Sequence, residues 1–136
     1  MDAFQTLVEY DGVFTDRGCL FVSTTGKLLN GYVNCEVIYP HFPVVRNLTH
    51  QLVEPFLDEV EAFLCPATGD IVLAQYATHI ANEAGRPTVA AWADKHGDDN
   101  SYHVERNGFE SAIRGKKVLI LNDRISQGGN TIKIIA

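Results

Sequence analysis

The stretch VLILNDRISQGGNT, residues 118 to 131, decides the fold. Four aliphatic residues are followed by Asn122 and Asp123, then by a hydroxyl at Ser126 and glycines at 128 and 129. An uninterrupted aliphatic run predicts a strand of a parallel sheet that is covered on both faces. The polar, glycine-containing residues after it predict a turn that leads into a helix. Strand, turn and helix in this order indicate an α/β fold.

The turn has the composition of a phosphate site. Ligands of open α/β sheets bind outside the carboxyl ends of the strands, and backbone N–H groups at a helix N-terminus hold phosphate. Glycines let the backbone approach the anion, and Ser126, Asn130 and Thr131 add hydrogen-bond donors. Asp123, one step earlier, is an acceptor for sugar hydroxyls. The pattern therefore indicates a sugar-phosphate pocket, and a plain glycine turn after a buried strand is the alternative.

The amino-terminal half predicts a helix, two strands and a longer helix. DAFQTLVEY has a helical apolar spacing that ends near Gly12, while CLFVSTTG and GYVNCEVIY are typical of strands and could form a hairpin. From Val45 to Phe63 the apolar residues follow each other at helical spacing. Pro55 lies inside this run and predicts a kink or a restart of the helix.

The second half predicts alternating elements. GDIVLAQ is typical of a compact aliphatic strand, THIANEAG of a helix closed by Gly85, and PTVAAWA of a second strand. Residues 94 to 110 are polar without a sustained period and indicate an active-site loop. Alternating strands and helices predict one domain over residues 1–136, with a mostly parallel sheet flanked by helices.

Composition excludes several classes of protein. A net charge of −6 and a pI near 5.2 argue against a nucleic-acid binder. No apolar run reaches the length of a membrane span, and the N-terminus lacks a signal-peptide pattern, so we expect no membrane association and a cytoplasmic location. The three cysteines have no CxxC spacing and are expected to be reduced and buried, and the five histidines have no metal-binding spacing.

Two segments carry a resemblance to a known family. VLILNDRISQGGNT resembles the ribose-5-phosphate loop of type I phosphoribosyltransferases, and GCLFVSTTGKLLNGYVNCEVIYPH is similar to the N-terminal segment of the orotate phosphoribosyltransferase branch. Between them, GDIVLAQYATHIANEAGRPTVAAWADKHG takes the place of the pyrophosphate loop, a helix, a second strand and a mobile catalytic loop. The resemblance covers nearly the whole chain. It implies the α/β fold of type I phosphoribosyltransferases, with a small N-terminal strand or hood region.

The resemblance also implies roles for individual residues. The ribose-5-phosphate of phosphoribosyl pyrophosphate would be bound by Asn122, Asp123, Ser126, Gln127, Gly128, Gly129 and Asn130. The pyrophosphate side would be Gln75, Tyr76 and Ala77, and the base side Thr25, Gly26, Lys27 and Tyr32. Lys95 and His96 would be catalytic residues on the mobile loop, where Lys95 neutralises the leaving pyrophosphate. A solvated lysine beside Asp94 and Asp98 is the alternative.

As an orotate-phosphoribosyltransferase-like enzyme, the chain would transfer phosphoribosyl to a nitrogen base, a glycosyltransferase reaction of pyrimidine nucleotide metabolism. Mg²⁺ would be carried mainly by the substrate, with no metal ligands from the protein, and a homodimer is implied. A non-catalytic nucleotide-binding or regulatory subunit on the same fold is a second hypothesis. A general α/β scaffold without this pocket is a third.

The sequence departs from the family pattern at several positions. Asn122 stands where the first of two acidic residues is usual, and Arg124 where an aliphatic one is. LAQYATH lacks the Gly and the Lys of the pyrophosphate loop, and Thr24 replaces a Lys near the base. The base is therefore left open. Because Ala136 follows the phosphate turn closely, we expect the domain to be incomplete at its C-terminus.

Overall fold

The computed structural model describes residues 2–15, 20–23, 26–97, 101–104, 108–125 and 129–135. The chain divides into two compact units, Met1–Val45 and Arg46–Ala136, and the boundary falls within one helix.

The amino-terminal unit consists of one helix and two short antiparallel strand pairs. Its elements are α1 (Ala3–Glu9), β1 (Val13–Phe14), β2 (Phe21–Val22), β3 (Leu28–Leu29), β4 (Tyr32–Val33) and a 3-10 helix (Cys35–Ile38). The predicted leading helix is confirmed, and the Asp2 side chain caps it by accepting a 2.8 Å hydrogen bond from the N–H of Gln5. β1 pairs with β4, and β2 pairs with β3.

The predicted hairpin between CLFVSTTG and GYVNCEVIY is wrong. β2 turns back onto Leu28–Leu29, because the Ser23 hydroxyl accepts a hydrogen bond from the N–H of Lys27 and Gly26 adopts a positive φ of 77°. Residues after Val33 leave the strand conformation, since the Asn34 side chain caps a 3-10 helix by accepting from the N–H of Glu36.

The second unit is built on a four-stranded sheet. Its strands are β5 (Ala62–Pro66), β6 (Val89–His96), β7 (Ser101–His103) and β8 (Val118–Ile120), in the order β7-β6-β5-β8. α2 (Phe42–Val53) begins in the first unit and continues into the second. The other helices of the second unit are α3 (Ile71–Glu83), α4 (Phe109–Ile113) and α5 (Gly129–Ile135), with a 3-10 helix at Glu54–Phe56. β5 is parallel to both β6 and β8, and only β7 is antiparallel among the described strands of this sheet. The predicted mostly parallel sheet with helices is confirmed.

The core lies between β5 and α3. Phe63 and Cys65 of β5 are fully buried and share one apolar cluster with Ala74, Ala77 and Ile80 of α3. Alanines on the inner face of α3 let the helix lie close to the sheet. α3 ends as predicted at Gly85, whose φ is +75°, and the N–H of Arg86 donates to the carbonyl of Ala81 in a Schellman motif.

Two predicted elements are wrong between Val45 and Gln75. The long helix stops at Val53, and Phe63 belongs to β5. The restart predicted at Pro55 is confirmed, because a separate 3-10 helix begins at Glu54. GDIVLAQ is not a strand, since Gly69 and Asp70 precede α3 and the helix begins at Ile71. Its apolar residues continue at helical spacing through Leu73, Ala77 and Ile80, which are all buried, and this period of three to four over 13 residues favours the helix.

The predicted loop over residues 94 to 110 is only partly a loop. β6 extends to His96, β7 follows, and α4 begins at Phe109. The predicted strands at PTVAAWA and VLIL are confirmed. The expected full burial of the VLIL strand is wrong, because β8 lies at the edge of the described sheet and Val118 is 37% exposed.

The burial of the cysteines and the length of the helices were also predicted from the sequence. Cys65 is buried as expected, Cys35 is only half-buried, and Cys19 lies outside the described residues. In the part of the chain that the structure describes, no helix is long and apolar enough to cross a bilayer.

Candidate active site at the carboxyl ends of β5 and β8

Parallel pairing brings two strand ends to the same edge of the sheet. β5 and β8 are neighbours with Leu64 opposite Ile120, and the N–H of Leu121 donates a 2.8 Å hydrogen bond to the carbonyl of Leu64. The chain leaves β5 through residues 67 to 70 into α3, and it leaves β8 through residues 122 to 125 towards α5. These two strand-to-helix connections lie where open α/β sheets bind their ligands.

Asp70 joins the two connections. It immediately precedes α3, and its side chain makes no capping hydrogen bond to that helix. Its Oδ1 instead accepts a 2.8 Å hydrogen bond from the backbone N–H of Asp123. Asp70 is only 6% exposed, so a carboxyl group is held inside the protein at this edge of the sheet.

The surroundings of Asp70 change its acidity. The pKa of Asp70 is raised to about 7. Burial is the largest cause and the Asp123 side chain acts in the same direction, while the hydrogen bond from the Asp123 N–H and the charge of Arg124 lower the pKa. The Asp70 charge also acts on the pKa of one group in β5 and one in β7. Burial first, and then Asp70, raise the pKa of the Cys65 thiol to about 12 and also raise the pKa of Tyr102.

The turn after β8 is shaped by Asn122. Its Oδ1 accepts a 3.1 Å hydrogen bond from the backbone N–H of Arg124, which is the geometry of an Asx turn. Asn122 and Asp123 are half-buried and Arg124 is exposed. The predicted ribose residues Asn122 and Asp123 therefore lie next to each other beside Asp70.

The phosphate turn is described only in part. Ser126, Gln127 and Gly128 lie outside the described residues, while Gly129 and Asn130 are the first two residues of α5. The helix predicted after the turn is therefore confirmed.

Lys95 and His96 occupy the end of a strand and not a loop. Both are exposed and belong to β6, where Lys95 pairs with Tyr102 and His96 with Ser101 of β7. Directly opposed residues lie on the same face of a sheet, so Lys95 shares a face with Tyr102. The pKa of Tyr102 is raised by burial and by the charge of Asp70. The His96 ring lies 5.3 Å from that of His103, on the other face.

The predicted pyrophosphate residues lie inside a helix. Gln75, Tyr76 and Ala77 belong to α3, where Gln75 is exposed, Tyr76 is half-buried and Ala77 is completely buried in the core. Helical N–H groups this far from the helix start are bonded to preceding carbonyls and are not donors for an anion. The strand-to-helix connection in this region is residues 67 to 70, whose Ala67–Thr68 peptide is cis.

The predicted base-side residues lie in the amino-terminal unit. Gly26 and Lys27 are exposed in the turn between β2 and β3, and Tyr32 of β4 lies 6.2 Å from the rings of both Phe14 and Phe21. Thr25 lies outside the described residues.

Sequence reasoning missed Asp70 and Tyr102. A strand assigned to GDIVLAQ put Asp70 inside that strand, whereas the real strand ends at Pro66 and leaves Asp70 in the connection. The signal that would have found it is the apolar run AFLCP, followed by turn residues and an acid. Tyr102 had no signal, because its contact with this region depends on the β6–β7 pairing.

Comparison with known proteins finds similarity to orotate phosphoribosyltransferases. No protein-family model matches the chain. It is 28% identical over 116 residues to an orotate phosphoribosyltransferase of Caldanaerobacter subterraneus, covering 85% of this chain and 56% of that protein. It is 28% identical over 128 residues to an orotate phosphoribosyltransferase of Chlorobium phaeobacteroides, covering 90% and 62%. The chain is an orotate-phosphoribosyltransferase-like protein. It is a divergent one that spans about three fifths of the length of these relatives.

Solved structures show the fold of this phosphoribosyltransferase-like chain. Orotate phosphoribosyltransferase from Aeropyrum pernix superposes with a TM-score of 0.64 at 17% identity, covering 96% of this chain and 70% of that one. UMP synthase from Leishmania donovani superposes with a TM-score of 0.67 at 14% identity, covering 96% of this chain and 26% of that one. The predicted type I phosphoribosyltransferase-like α/β fold is confirmed.

Proposed function

We propose that this chain binds phosphoribosyl pyrophosphate or a nucleoside monophosphate at the carboxyl ends of β5 and β8, and transfers the phosphoribosyl group to a nitrogen base. The observation that carries the proposal is the hydrogen bond from the Asp123 N–H to Asp70, which holds the two strand-to-helix connections together. The likeness to orotate phosphoribosyltransferases supports the same ligand class.

Each residue of the turn has a distinct task in this proposal. The Asp123 carboxylate accepts hydrogen bonds from the ribose hydroxyls, which a charged acceptor does more strongly than an amide. Asn122 shapes the turn through its bond to the Arg124 N–H. Residues 126 to 130 bind the 5-phosphate.

The reaction demands positioning and charge neutralisation more than side-chain chemistry. Pyrophosphate leaves the anomeric carbon, positive charge develops there, and a ring nitrogen of the base attacks. Lys95, exposed at the end of β6, supplies positive charge for the leaving pyrophosphate. Its carboxyl-end position on a neighbouring parallel strand supports this role.

Mg²⁺ would bind at this site together with the substrate, mainly through the substrate phosphates. Within the described ranges, no group of three or more His, Cys, Asp and Glu side chains could hold a metal ion. Mg²⁺ binds substrate phosphates and water readily and needs few protein ligands. When bound, it neutralises charge on the pyrophosphate, and the residues of this chain orient the ribose.

A non-catalytic nucleotide-binding or regulatory subunit is the second candidate. The observation that favours it is the pair Asp70 and Asp123, two acidic side chains beside a site proposed for a polyanion. Repulsion from these two carboxylates lowers the affinity for pyrophosphate, but it does not prevent binding of a ribose 5-phosphate group. Turnover of phosphoribosyl pyrophosphate with a panel of purine and pyrimidine bases separates the two candidates.

Calorimetric titration of the purified chain with phosphoribosyl pyrophosphate and Mg²⁺ tests the proposal. We expect saturable binding by the wild type that is lost or strongly weakened in Asp123→Ala. His79→Ala is a matched control, since His79 is exposed on α3 and is not part of the proposed site. Absence of heat with the wild type, or equal binding by Asp123→Ala, would overturn the proposed pocket.

Light scattering of the same sample tests the homodimer that the resemblance implies.

A further inference from the structure

A buried carboxyl group connects the two halves of the candidate site. Asp70 is 6% exposed, and its Oδ1 lies 2.8 Å from the backbone nitrogen of Asp123. The hydrogen bond goes to the backbone of the residue proposed to bind the ribose. Any change at Asp70 therefore acts on the position of Asp123.

Four ionisable groups from three elements surround Asp70. Asp123 and Arg124 approach from the turn after β8, Tyr102 from β7 and Cys65 from β5. Of these, Asp123 adds a like charge and Arg124 an opposite one. Burial and the Asp123 charge together raise the pKa of Asp70 to about 7, so its charge changes near neutrality.

The two protonation states of Asp70 differ in charge but not in their ability to accept the hydrogen bond. An ionised carboxylate accepts strongly, and a protonated carboxylic acid still accepts at its carbonyl oxygen. Protonation therefore removes a negative charge from the site while Asp123 stays held. An anionic ligand at the turn favours the protonated state because it adds negative charge nearby.

We propose that Asp70 is a positioning residue that holds the turn at Asp123, and that it takes up a proton from solvent when this turn binds a phosphate-bearing anion. The first part follows from the hydrogen bond and its burial, and the second rests on the proposed function. Binding then weakens as the pH rises, because only the fraction of molecules with a neutral Asp70 is fully competent.

The positioning role is tested without any ligand, by following the ¹H–¹⁵N signal of the Asp123 amide from about pH 5 to 9. In the wild type we expect the signal to titrate with a midpoint near 7. Asp70→Asn keeps the Oδ1 acceptor and loses this titration, whereas Asp70→Ala increases the hydrogen-exchange rate of the amide. Recovery of slow exchange in Asp70→Asn supports positioning. The same titration in Asp70→Asn as in the wild type would overturn it.

Proton uptake is tested with ribose 5-phosphate, by calorimetry in buffers of different ionisation enthalpy. We expect the wild type to bind up to about tenfold more weakly at pH 8 than at pH 6, relative to Asp70→Asn measured in parallel. This ratio cancels the ionisation of the phosphate itself. Equal pH dependence in the two proteins would overturn the proton uptake. No binding by either protein at any pH would overturn the proposed function, and the amide titration would still decide the role of Asp70.

Discussion

The backbone N–H of Asp123 donates a 2.8 Å hydrogen bond to Oδ1 of Asp70, which lies 53 residues earlier in the chain. A contact over this separation carries a cost in loop-closure entropy, so it depends on the parallel pairing of β5 with β8. The pairing places both strand ends at one edge, and the hydrogen bond then fixes the turn. The geometry of the candidate site therefore depends on the parallel pairing of β5 with β8.

Stability should depend on pH through Asp70. Its pKa is raised from 3.8 to about 7 in the folded chain, so the folded state keeps a proton that the unfolded state loses above about pH 4. The stabilisation is complete below that pH and is lost as the pH rises through about 7. With solvent screening included, we expect a loss of roughly 2 kcal/mol in the free energy of unfolding. Urea denaturation between about pH 5 and 8 measures it.

Asp70→Asn is the control for this pH dependence. The amide keeps an acceptor for the Asp123 N–H and carries no charge at any pH, so the slope between about pH 5 and 7 should shrink. The variant should also be more stable than the wild type above pH 8. A slope unchanged by the substitution would show that other groups cause it.

Asn122 and Asp123 should contribute differently to ribose binding. Asp123→Ala should weaken binding of ribose 5-phosphate by about tenfold or more, because hydrogen bonds to a charged acceptor are worth roughly 1.5–3 kcal/mol. Asn122→Ala should weaken it less, since Asn122 acts on the backbone of Arg124. Asn122→Asp keeps the Oδ1 acceptor for the Arg124 N–H and should keep the turn, but its added negative charge should weaken binding of the anionic ligand. Equal losses for Asp123→Ala and Asn122→Ala in calorimetry would contradict these roles.

Much of this site follows from local sequence signals. VLIL before Asn122 and Asp123 was sufficient to place a strand end, because four aliphatic residues bounded by polar ones leave few alternatives. Gly85 marked the end of α3 through its positive φ. These features depend on interactions within a few residues, which the order of residue types records directly.

The wrong secondary-structure predictions lie where tertiary contacts decide whether a segment is a strand or a helix. AFLCP is five residues long and fully buried, and a run this short has no period that separates strand from helix. Pro66 ends it, and the position of Asp70 in the next connection depends on that boundary. The pairing of Lys95 with Tyr102 is likewise a property of the β6–β7 register. Such contacts leave no signal in the separate segments.

Gly12 should be intolerant of a side chain. A Cβ at this position would lie 2.7 Å from the carbonyl oxygen of Asn34 and 2.8 Å from Cγ2 of Val37. Gly12→Ala should therefore reduce the free energy of unfolding by roughly 1–3 kcal/mol through overpacking, as urea denaturation can measure. Gly31→Ala is the control, since its Cβ would approach nothing nearer than 3.3 Å, from the carbonyl oxygen of Phe14. Equal losses in the two variants would argue against the steric reason.

Lys95 should act on the pyrophosphate and not on the ribose phosphate. Lys95→Ala removes positive charge at the end of β6, and because the side chain is exposed we expect only about a fivefold loss in affinity for phosphoribosyl pyrophosphate with Mg²⁺. Binding of ribose 5-phosphate, which lacks the pyrophosphate, should stay unchanged. Calorimetric titration with both ligands, at one ionic strength, measures the difference.

Lys116→Ala is the matched control for Lys95→Ala. Lys116 is an exposed lysine that precedes β8, so it lies at the amino end of the strand whose carboxyl end forms the candidate site. Its removal makes the same change in net charge and should alter the binding of neither ligand, since surface charges far apart are screened at physiological ionic strength. If the two variants lose affinity equally, the effect is one of net charge. If Lys95→Ala weakens both ligands to the same extent, Lys95 does not distinguish the pyrophosphate, and the catalytic role proposed for it is wrong.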